Sequence, residues 1–270
     1  MNKGFVSLVG AGPGDADLMT VKALRRLQEA DVVVYDRLVS AEILNLIPQG
    51  ISRISVGKAA GNHCVPQDEI NQTLLVLAQT GRRVVRLKGG DPYIFGRGGE
   101  EALVLKKHHI DFEIVPGVTA ASGCGAYAGI PLTHRGTSHS VRFITGHFHN
   151  DEALDINWDK LVDPDCTLVI YMGLSNLQKI SDELVKAGLA STTPAAAVHG
   201  ATTQKQAKVI ATLSELPNAV VDAGLKSPVI IIVGEVVALN HRLDWFQSQC
   251  EASEKEVEYD SFDMVSTVSY

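Results

Sequence analysis

The sequence predicts an α/β protein of two domains, each with a mostly parallel β-sheet. Short apolar runs alternate with amphipathic segments of helical periodicity along the 270 residues. The apolar runs are continuous, which is typical of strands buried on both faces of a parallel sheet. The alternation restarts after a small-residue segment at residues 117–131, which predicts a second domain joined to the first near residues 116–121.

The first predicted domain, residues 1–116, holds four apolar strand segments: Phe5–Val9, Val32–Tyr35, Val84–Leu87 and Phe112–Val115. Three helices are predicted between them. Thr20 can cap a helix that carries Val21, Leu24 and Leu27 on one face. Pro66 suits the start of a second helix that ends at Gly81, and a third runs from Glu100 to Lys107.

The second predicted domain, residues 117–245, opens with a linker that becomes a helix of small residues. Its strands are predicted at Val141–Thr145, Thr167–Met172, Ala195–Val198, Val209–Thr212 and Val229–Val233. Leu177, Ile180 and Leu184 share a face and predict a helix between two of these strands.

Composition and charge restrict the functional class. The net charge is −7, but residues 246–270 carry six acidic residues and one lysine, which leaves −2 for the rest of the chain. We expect this acidic tail to be disordered. No basic block indicates nucleic-acid binding, and no apolar run reaches the length of a membrane span or signal sequence. Four scattered cysteines favour a reducing, cytoplasmic location.

Two glycine-rich segments follow predicted strands, where α/β sheets bind ligands. The first is Gly10-Ala11-Gly12-Pro13-Gly14-Asp15. It departs from the dinucleotide fingerprint, because Asp15 stands where the third glycine belongs and Pro13 lacks a backbone donor. A plain structural turn therefore stays open, and an NAD-dependent oxidoreductase is disfavoured.

The second glycine-rich segment runs from Gly89 to Gly99, with five glycines in eleven residues. Pro92 favours an extended Asp91, whose carboxylate could accept hydrogen bonds from a ribose or an ammonium group. A long surface loop is the alternative. No triphosphate-binding motif is present.

Other polar residues follow strands as well. Asp36-Arg37 and Gly57-Lys58 could present an acid and a base to one cleft, although single charges are more often solvated. Pro116 to Ser122 has the small residues of a hinge or of a contact with a flat ligand. His147 and His149 have no third ligand at a recognisable spacing, so no metal site is expected.

In this order, these motifs resemble the tetrapyrrole methylase family. The resemblance is carried by six ordered segments: VGAGPGDADLMTVKALRRLQEADVVVYDRLVS, VGKAAGNHCVPQDEIN, VVRLKGGDPYIFGRGGEEA, VPGVTAASGCGAYAGIPLTHR, YMG and SPVIIIVGEVV. It implies two α/β domains with a cofactor and substrate trough between them, and a homodimer. It also implies S-adenosylmethionine-dependent methylation of uroporphyrinogen III at carbons 2 and 7, giving precorrin-2 for siroheme or cobalamin, with no metal and no fused dehydrogenase–chelatase module.

Carried over by position, the resemblance assigns proton transfer to Asp36 and Lys58. It assigns cofactor contacts to nine positions: Pro13, Gly89, Gly90, Asp91, Ile94, Thr119, Ala120, Met172 and Ala201. Because the substrate is a polycarboxylate, arginine side chains are candidates to bind it, namely Arg37, Arg97, Arg135 and Arg142. The family's usual Gly-Lys-Arg is Gly57-Lys58-Ala59 here, and Ala201 stands where glycine is frequent.

Alternatives within this resemblance are a sister methylase acting on a later precorrin and a diphthine or ribosomal-RNA methyltransferase of related fold. The nearly neutral body of the chain disfavours the RNA substrate. A non-catalytic S-adenosylmethionine-binding protein is a further alternative, which the presence of both Asp36 and Lys58 disfavours.

Overall fold

The structure, a computed structural model, describes residues 4–57, 65–146 and 156–247. The chain divides into two compact units, Met1–Gly123 and Cys124–Tyr270. This division falls within a helix, α5 (Ala120–Tyr127). The domain limits 1–116 and 117–245 stay a prediction.

The first unit alternates strands and helices. In chain order these are β1 (Phe5–Gly10), α1 (Val21–Glu29), β2 (Val32–Tyr35), α2 (Ala41–Asn45), β3 (Ser52–Ser55), α3 (Gln67–Gln79), β4 (Arg83–Lys88), α4 (Gly98–Lys107), β5 (Asp111–Val115) and the start of α5. The predicted cap is present, because Thr20 Oγ1 accepts a hydrogen bond from the Ala23 amide at 3.1 Å.

The first sheet has the order β3-β2-β4-β1-β5, and all its neighbouring pairs are parallel. Helices cover both faces. One apolar cluster joins the sheet to α3 and α4, and a second joins the opposite face to α1 and α2. The prediction of a parallel sheet covered on both faces is confirmed for this unit.

The second unit contains β6 (Ser140–Thr145), β7 (Cys166–Tyr171), α6 (Leu177–Lys186), β8 (Pro194–His199), β9 (Ala207–Thr212), α7 (Leu216–Asp222), β10 (Val229–Val233) and α8 (Asn240–Leu243). Its sheet order is β6-β7-β10-β8-β9. Ile180 and Leu184 of α6 and Leu216 of α7 pack in one cluster with Ile170 and Ile231 of the sheet.

The prediction of a mostly parallel sheet is wrong for this unit. Only β6 and β7 pair in parallel, whereas β10 is antiparallel to both of its neighbours and β8 is antiparallel to β9. A continuous apolar run shows that a strand is covered on both faces, and burial of this kind does not fix the direction of the neighbouring strand.

Most of the predicted acidic tail, from residue 248 onward, lies outside the described residues, as do His147 and His149. The described part of the chain ends close to α5 residues of its own unit. The Trp245 Nε1–H donates to the Ala126 carbonyl at 2.9 Å, and the rings of Phe246 and Tyr127 are 4.8 Å apart. Within the described ranges, the helices are too short or too polar to cross a membrane.

Candidate functional site

The connections from two neighbouring strands, β1 and β4, leave toward opposite faces of the first sheet. Leu27 of α1, which follows β1, packs with Val9 and Val85. Leu105 of α4, which follows β4, packs with Leu8 on the other face. In α/β sheets such a divergence opens a crevice beyond the carboxyl ends of the strands, where ligands bind. Both glycine-rich segments follow the strands that border this point.

Three backbone segments meet at this crevice without side chains between them. Gly12 and Gly90 exchange two hydrogen bonds, with N–O distances of 3.1 and 2.7 Å. A Cβ atom on Gly117 would lie 2.4 Å from the Gly90 carbonyl oxygen, and one on Gly10 would lie 2.6 Å from the Gly117 nitrogen. Only glycine permits this close crossing of three segments. The crossing is therefore a compact platform of backbone atoms at the carboxyl edge of the sheet.

Asp91 joins two of these segments. Its Oδ1 accepts a hydrogen bond from the Tyr93 amide at 2.8 Å, and its Oδ2 accepts one from the Gly117 amide at 3.1 Å. The first bond shapes its own loop, and the second ties that loop to the chain leaving β5. The carboxylate thus has a structural task besides the ligand contact expected from the sequence, and the lone pairs that remain on each oxygen could still serve that contact.

The start of α5 lies beside the same crossing. A Cβ on Gly90 would be 3.5 Å from the Ala120 nitrogen and 4.0 Å from Thr119 Cα. The amides of a first helical turn have no partners within the helix and can face a ligand. Seven of the nine proposed cofactor positions lie in the first unit. Besides Ile94 these are the positions at or next to the crossing, namely Pro13, Gly89, Gly90, Asp91, Thr119 and Ala120.

Ile94 belongs to a short loop between Asp91 and α4. The loop is closed by a hydrogen bond of 2.9 Å from the Gly98 amide to the Pro92 carbonyl. Ile94 and its neighbours Tyr93 and Phe95 are all exposed. Three adjacent exposed apolar side chains next to the crevice fit a loop that covers a ligand.

A buried group of charges lies under the ends of β2 and β4. The Arg86 guanidinium contacts Asp36 Oδ1 at 2.5 Å and Glu101 Oε1 at 3.0 Å. Lys88 Nζ contacts the same Glu101 oxygen at 2.9 Å. Burial lowers the pKa of Lys88, and the nearby Arg86 lowers it further against the opposing effect of Glu101. We call Asp36, Arg86, Lys88 and Glu101 the charge cluster.

Sequence reasoning missed three members of the charge cluster, namely Arg86, Lys88 and Glu101. A signal was available, because Arg86 and Lys88 stand two apart in a strand that is otherwise apolar. Alternate residues of a strand face the same side, so two cations would share one buried face. A buried pair of that kind requires an anion on the covering helix, and the first turn of α4 carries Glu100 and Glu101.

The predicted proton-transfer partner of Asp36 is Lys58, which lies outside the described residues. The loop after β2 that carries Asp36 is tightly held. A Cβ on Gly57 would lie 2.7 Å from the Arg37 nitrogen, and one on Gly89 would lie 2.8 Å from Leu38 Cβ. The side chains of Arg37 and Leu38 are exposed, so the loop presents them at the carboxyl edge of the sheet.

Arg97 precedes α4 with a left-handed backbone, at φ 57°. Its guanidinium binds both carboxylate oxygens of Glu100, at 2.8 and 2.7 Å. The hydrogen bond from Arg97 lowers the pKa of Glu100. Both side chains are about half exposed, so an anion that binds the guanidinium more tightly than Glu100 does could take its place at Arg97.

Two further proposed cofactor positions, Met172 and Ala201, lie at one edge of the second sheet. Because β7 and β8 are each antiparallel to β10 between them, they run in the same direction. Their last residues, Tyr171 and His199, pair with Ile230 and Val229 at the start of β10. Met172 follows Tyr171 with a left-handed backbone, at φ 56°, and its side chain is half exposed.

The structure does not bring the two remaining arginines to that edge. Arg142 lies in the middle of β6, where it donates to the Lys160 carbonyl and approaches Asp163 at 3.8 Å. Lys160 and Asp163 come before the first residue of β7. The Arg142 side chain therefore lies toward the edge of the sheet opposite to the one that carries Met172 and Ala201. Arg135 is exposed in the turn between His134 and Ser138, before β6 begins.

Comparison with known proteins gives concordant findings. The sequence model of the family described as Tetrapyrrole (Corrin/Porphyrin) Methylases matches residues 6–217. The chain is 54% identical over 248 residues to a siroheme synthase of Methylococcus capsulatus, which covers 92% of this chain and 52% of that protein. The chain thus spans about half the length of the curated relatives it matches.

Solved structures share the fold over nearly their whole length. A uroporphyrin-III C-methyl transferase of Thermus thermophilus complexed with S-adenyl homocysteine is 40% identical, with a TM-score of 0.74 that covers 87% of this chain and 93% of that one. A cobalamin biosynthetic cobalt precorrin-4 methyltransferase is 31% identical, with a TM-score of 0.76 over 86% of this chain and 95% of that one.

Proposed function

Since this chain belongs to the tetrapyrrole methylase family, we propose that it methylates uroporphyrinogen III at carbons 2 and 7 with S-adenosylmethionine as donor, giving precorrin-2. The observation that carries the proposal is the crossing of Gly10, Gly90 and Gly117 at the divergence of β1 and β4. The identity of 40% to the uroporphyrin-III C-methyl transferase, against 31% to the precorrin-4 enzyme, supports this substrate over a later precorrin.

The residues at the crossing fit a nucleoside cofactor. The backbones of three segments are in contact there, so a nucleoside lying on the crossing would meet main-chain atoms of Gly12, Pro13 and Gly90. Thr119 and Ala120, where α5 begins, would contact the ligand, Asp91 would hold the two segments together, and Ile94 would cover the ligand. The proposal also includes Met172 and Ala201 of the second unit. The bound cofactor would supply a methyl group on a positively charged sulfur.

Asp36 is the proposed general base. Its side chain is 27% exposed, while the Arg86 beneath it is only 2% exposed. One carboxylate oxygen is thus fixed from below, and the group still reaches the surface at the carboxyl edge of the sheet. A base held in this way can take a proton from a bound pyrrole ring without reorganising. Lys58 is the proposed proton donor or anchor for a substrate carboxylate.

The substrate is an anion with several carboxylates, so cations must bind and orient it. Arg37 stands next to Asp36 and is exposed, and Arg97 can exchange Glu100 for a substrate carboxylate. The sequence also proposes Arg135 and Arg142, but the structure places them away from the edge that carries Met172 and Ala201, so the proposal depends on Arg37 and Arg97. Positioning of this kind contributes a large share of the rate when two reactants must meet in line.

We also propose that the chain forms a homodimer in the cytoplasm, without nucleic-acid or membrane partners. Light scattering after gel filtration would give the oligomeric state. A monomer across the concentration range used for activity would contradict the dimer.

Methyl counting tests the reaction. The chain would be incubated anaerobically with uroporphyrinogen III and methyl-labelled S-adenosylmethionine, and the products analysed by mass spectrometry. The proposal expects two labelled methyl groups per tetrapyrrole, and no turnover above background for Asp36→Ala with retained adenosylhomocysteine binding. Methylation of a later precorrin but not of uroporphyrinogen III would establish a sister enzyme. Cofactor binding without transfer to any tetrapyrrole would indicate a binding protein.

A further inference from the structure

Arg86 is fixed by three hydrogen bonds from its guanidinium. Nε donates to Glu101 Oε1 at 3.0 Å, Nη1 to the Leu87 carbonyl at 3.3 Å, and Nη2 to Asp36 Oδ1 at 2.5 Å. The Arg86 side chain is 2% exposed and the Glu101 side chain is fully buried. A guanidinium group that donates a hydrogen bond from each of its three nitrogens cannot rotate freely. It therefore fixes the position of the Asp36 oxygen that it contacts.

The sheet register explains why these groups meet. Val34 of β2 pairs with Arg86 of β4. Asp36 follows Val34 by two residues and therefore points to the same face as Arg86. On that face α4 supplies Glu101, and Gln67 of α3 approaches the same carboxylate oxygen at 3.3 Å. The charge cluster thus joins β4, α4 and the residue that follows β2, with Gln67 of α3 beside it, and only its Asp36 end is appreciably exposed.

Stability alone does not account for the charge cluster. Removing charges from water costs several kcal/mol each, and well-packed apolar replacements of such groups are frequently as stable or more stable. The other Glu101 oxygen, Oε2, is buried without a hydrogen-bond partner among the described residues. An arrangement that leaves a polar atom unsatisfied is poorly optimised for stability, which points to a different use.

The same two strands carry an ordinary ion pair at their other end. Arg83 begins β4 and contacts Asp31, just before β2, at 2.9 Å, and their side chains are 63% and 40% exposed. This pair has the same residue types and the same strands, but it has no buried support and no crevice beside it. It is therefore a matched control for the Arg86–Asp36 pair.

We propose that Glu101 and Arg86 are positioning residues that act through Asp36, holding its carboxylate in the orientation required for proton transfer. Glu101 orients the guanidinium from the helix side, and the guanidinium orients Asp36 at the surface. Lys88 offsets part of the negative charge of Glu101. This inference rests on the proposed function, because it assigns Asp36 the role of base.

The test compares Arg86→Gln, Glu101→Gln, the double variant and the control Arg83→Gln. Each is assayed for kcat and KM in methylation of uroporphyrinogen III, for adenosylhomocysteine affinity by calorimetry, and for thermal unfolding. A base displaced by about 1 Å can lose on the order of 100-fold in rate. We expect each single variant to lose roughly ten- to a hundredfold in kcat, with KM and cofactor affinity nearly unchanged, whereas Arg83→Gln keeps wild-type turnover.

The double variant separates positioning from folding. Arg86→Gln leaves Glu101 paired with Lys88 but takes the guanidinium from Asp36, and Glu101→Gln leaves Arg86 paired with Asp36 but takes the carboxylate from Lys88. Each change therefore lowers the unfolding temperature, and the double change, which takes the partners of both Asp36 and Lys88, lowers it further. If both residues act through the orientation of Asp36, kcat in the double variant falls no further than in the more impaired single variant, although the unfolding temperature does. If one single variant does not fold, the other single variant is compared with Arg83→Gln.

Two results would overturn the inference. One is a folded variant with wild-type kcat, and the other is a kcat that falls in step with the unfolding temperature across the two single variants and the double variant. A wild-type chain that adds no methyl groups would instead refute the proposed function, and this inference with it. A wild-type chain that adds two methyls while the variants keep full turnover would refute only the positioning roles.

Discussion

Asp91 offers a direct test of the link between the glycine crossing and cofactor binding. Replacing it by alanine removes two acceptors at once, the one for the Tyr93 amide at 2.8 Å and the one for the Gly117 amide at 3.1 Å. The first bond is local to its loop. The second joins the segment carrying Gly90 to the segment that leads into α5, so it holds together two groups of proposed cofactor contacts.

The expected magnitude follows from the second bond. A hydrogen bond to a charged acceptor contributes about 1.5–3 kcal/mol. If the cofactor binds only when both segments are in place, losing this energy weakens binding by about 10- to 150-fold. Asp91→Asn should weaken cofactor binding nearly as much. The side-chain amide has one oxygen, which can take the place of only one of the two carboxylate oxygens, and its NH₂ group would face the other donor.

Calorimetric titration with adenosylhomocysteine measures this effect. Asp163→Ala is the matched control, because Asp163 makes a similar bond to the Asp165 amide at 3.0 Å but joins no second segment of the crossing. We expect wild-type affinity for the control and the stated loss for both Asp91 variants. Unchanged affinity in a folded Asp91→Ala, or an equal loss in Asp163→Ala, would refute the reasoning.

Three other predictions concern the folded state. Gly117→Ala should lower the unfolding temperature, because its Cβ would meet backbone at 2.4 Å, whereas Gly99→Ala in open space should not; equal effects in thermal scans would contradict this. Partial burial alone would raise the pKa of Glu113, but hydrogen bonds from Arg26, Lys22 and Ser7 outweigh it and hold the pKa at about 2. Glu113→Gln should therefore cost about 1–2 kcal/mol at pH 7 after solvent screening, and its deficit should shrink as the pH falls from 4.5 towards 2; a deficit equal at pH 7 and 3 would be inconsistent. Burial raises the pKa of the Cys124 thiol to about 12, and Cys166 is buried as well. With Cys64 and Cys250 replaced by serine, neither remaining thiol should react with a thiol reagent at pH 8 until the chain unfolds; rapid labelling located at Cys124 by peptide mass spectrometry would show that its site opens.

The strongly apolar elements of the first unit were predictable from the sequence. β2 has the predicted limits Val32–Tyr35, and α3 follows Pro66 and ends before Gly81. Apolar periodicity and glycine or proline punctuation are local signals, so they survive without knowledge of the tertiary fold. Two elements gave no such signal. β3, Ser52–Ser55, is a polar strand at the sheet edge, and α2, Ala41–Asn45, has only five residues.

Local sequence signals could not predict the strand directions in the second sheet or the charge cluster in the first unit. Both depend on which elements become neighbours, and a single sequence does not state this. The position of Asp91 between two glycines and a proline suggested a ligand contact. The bond from Gly117, 26 residues away, gives it a second task that only the folded chain shows.

A crystal structure with adenosylhomocysteine would test the central claim most directly. The account predicts the nucleoside against the backbone of Gly12, Gly90 and Thr119, with Asp91 still bonded to the Gly117 amide. A nucleoside bound away from the glycine crossing would contradict the account.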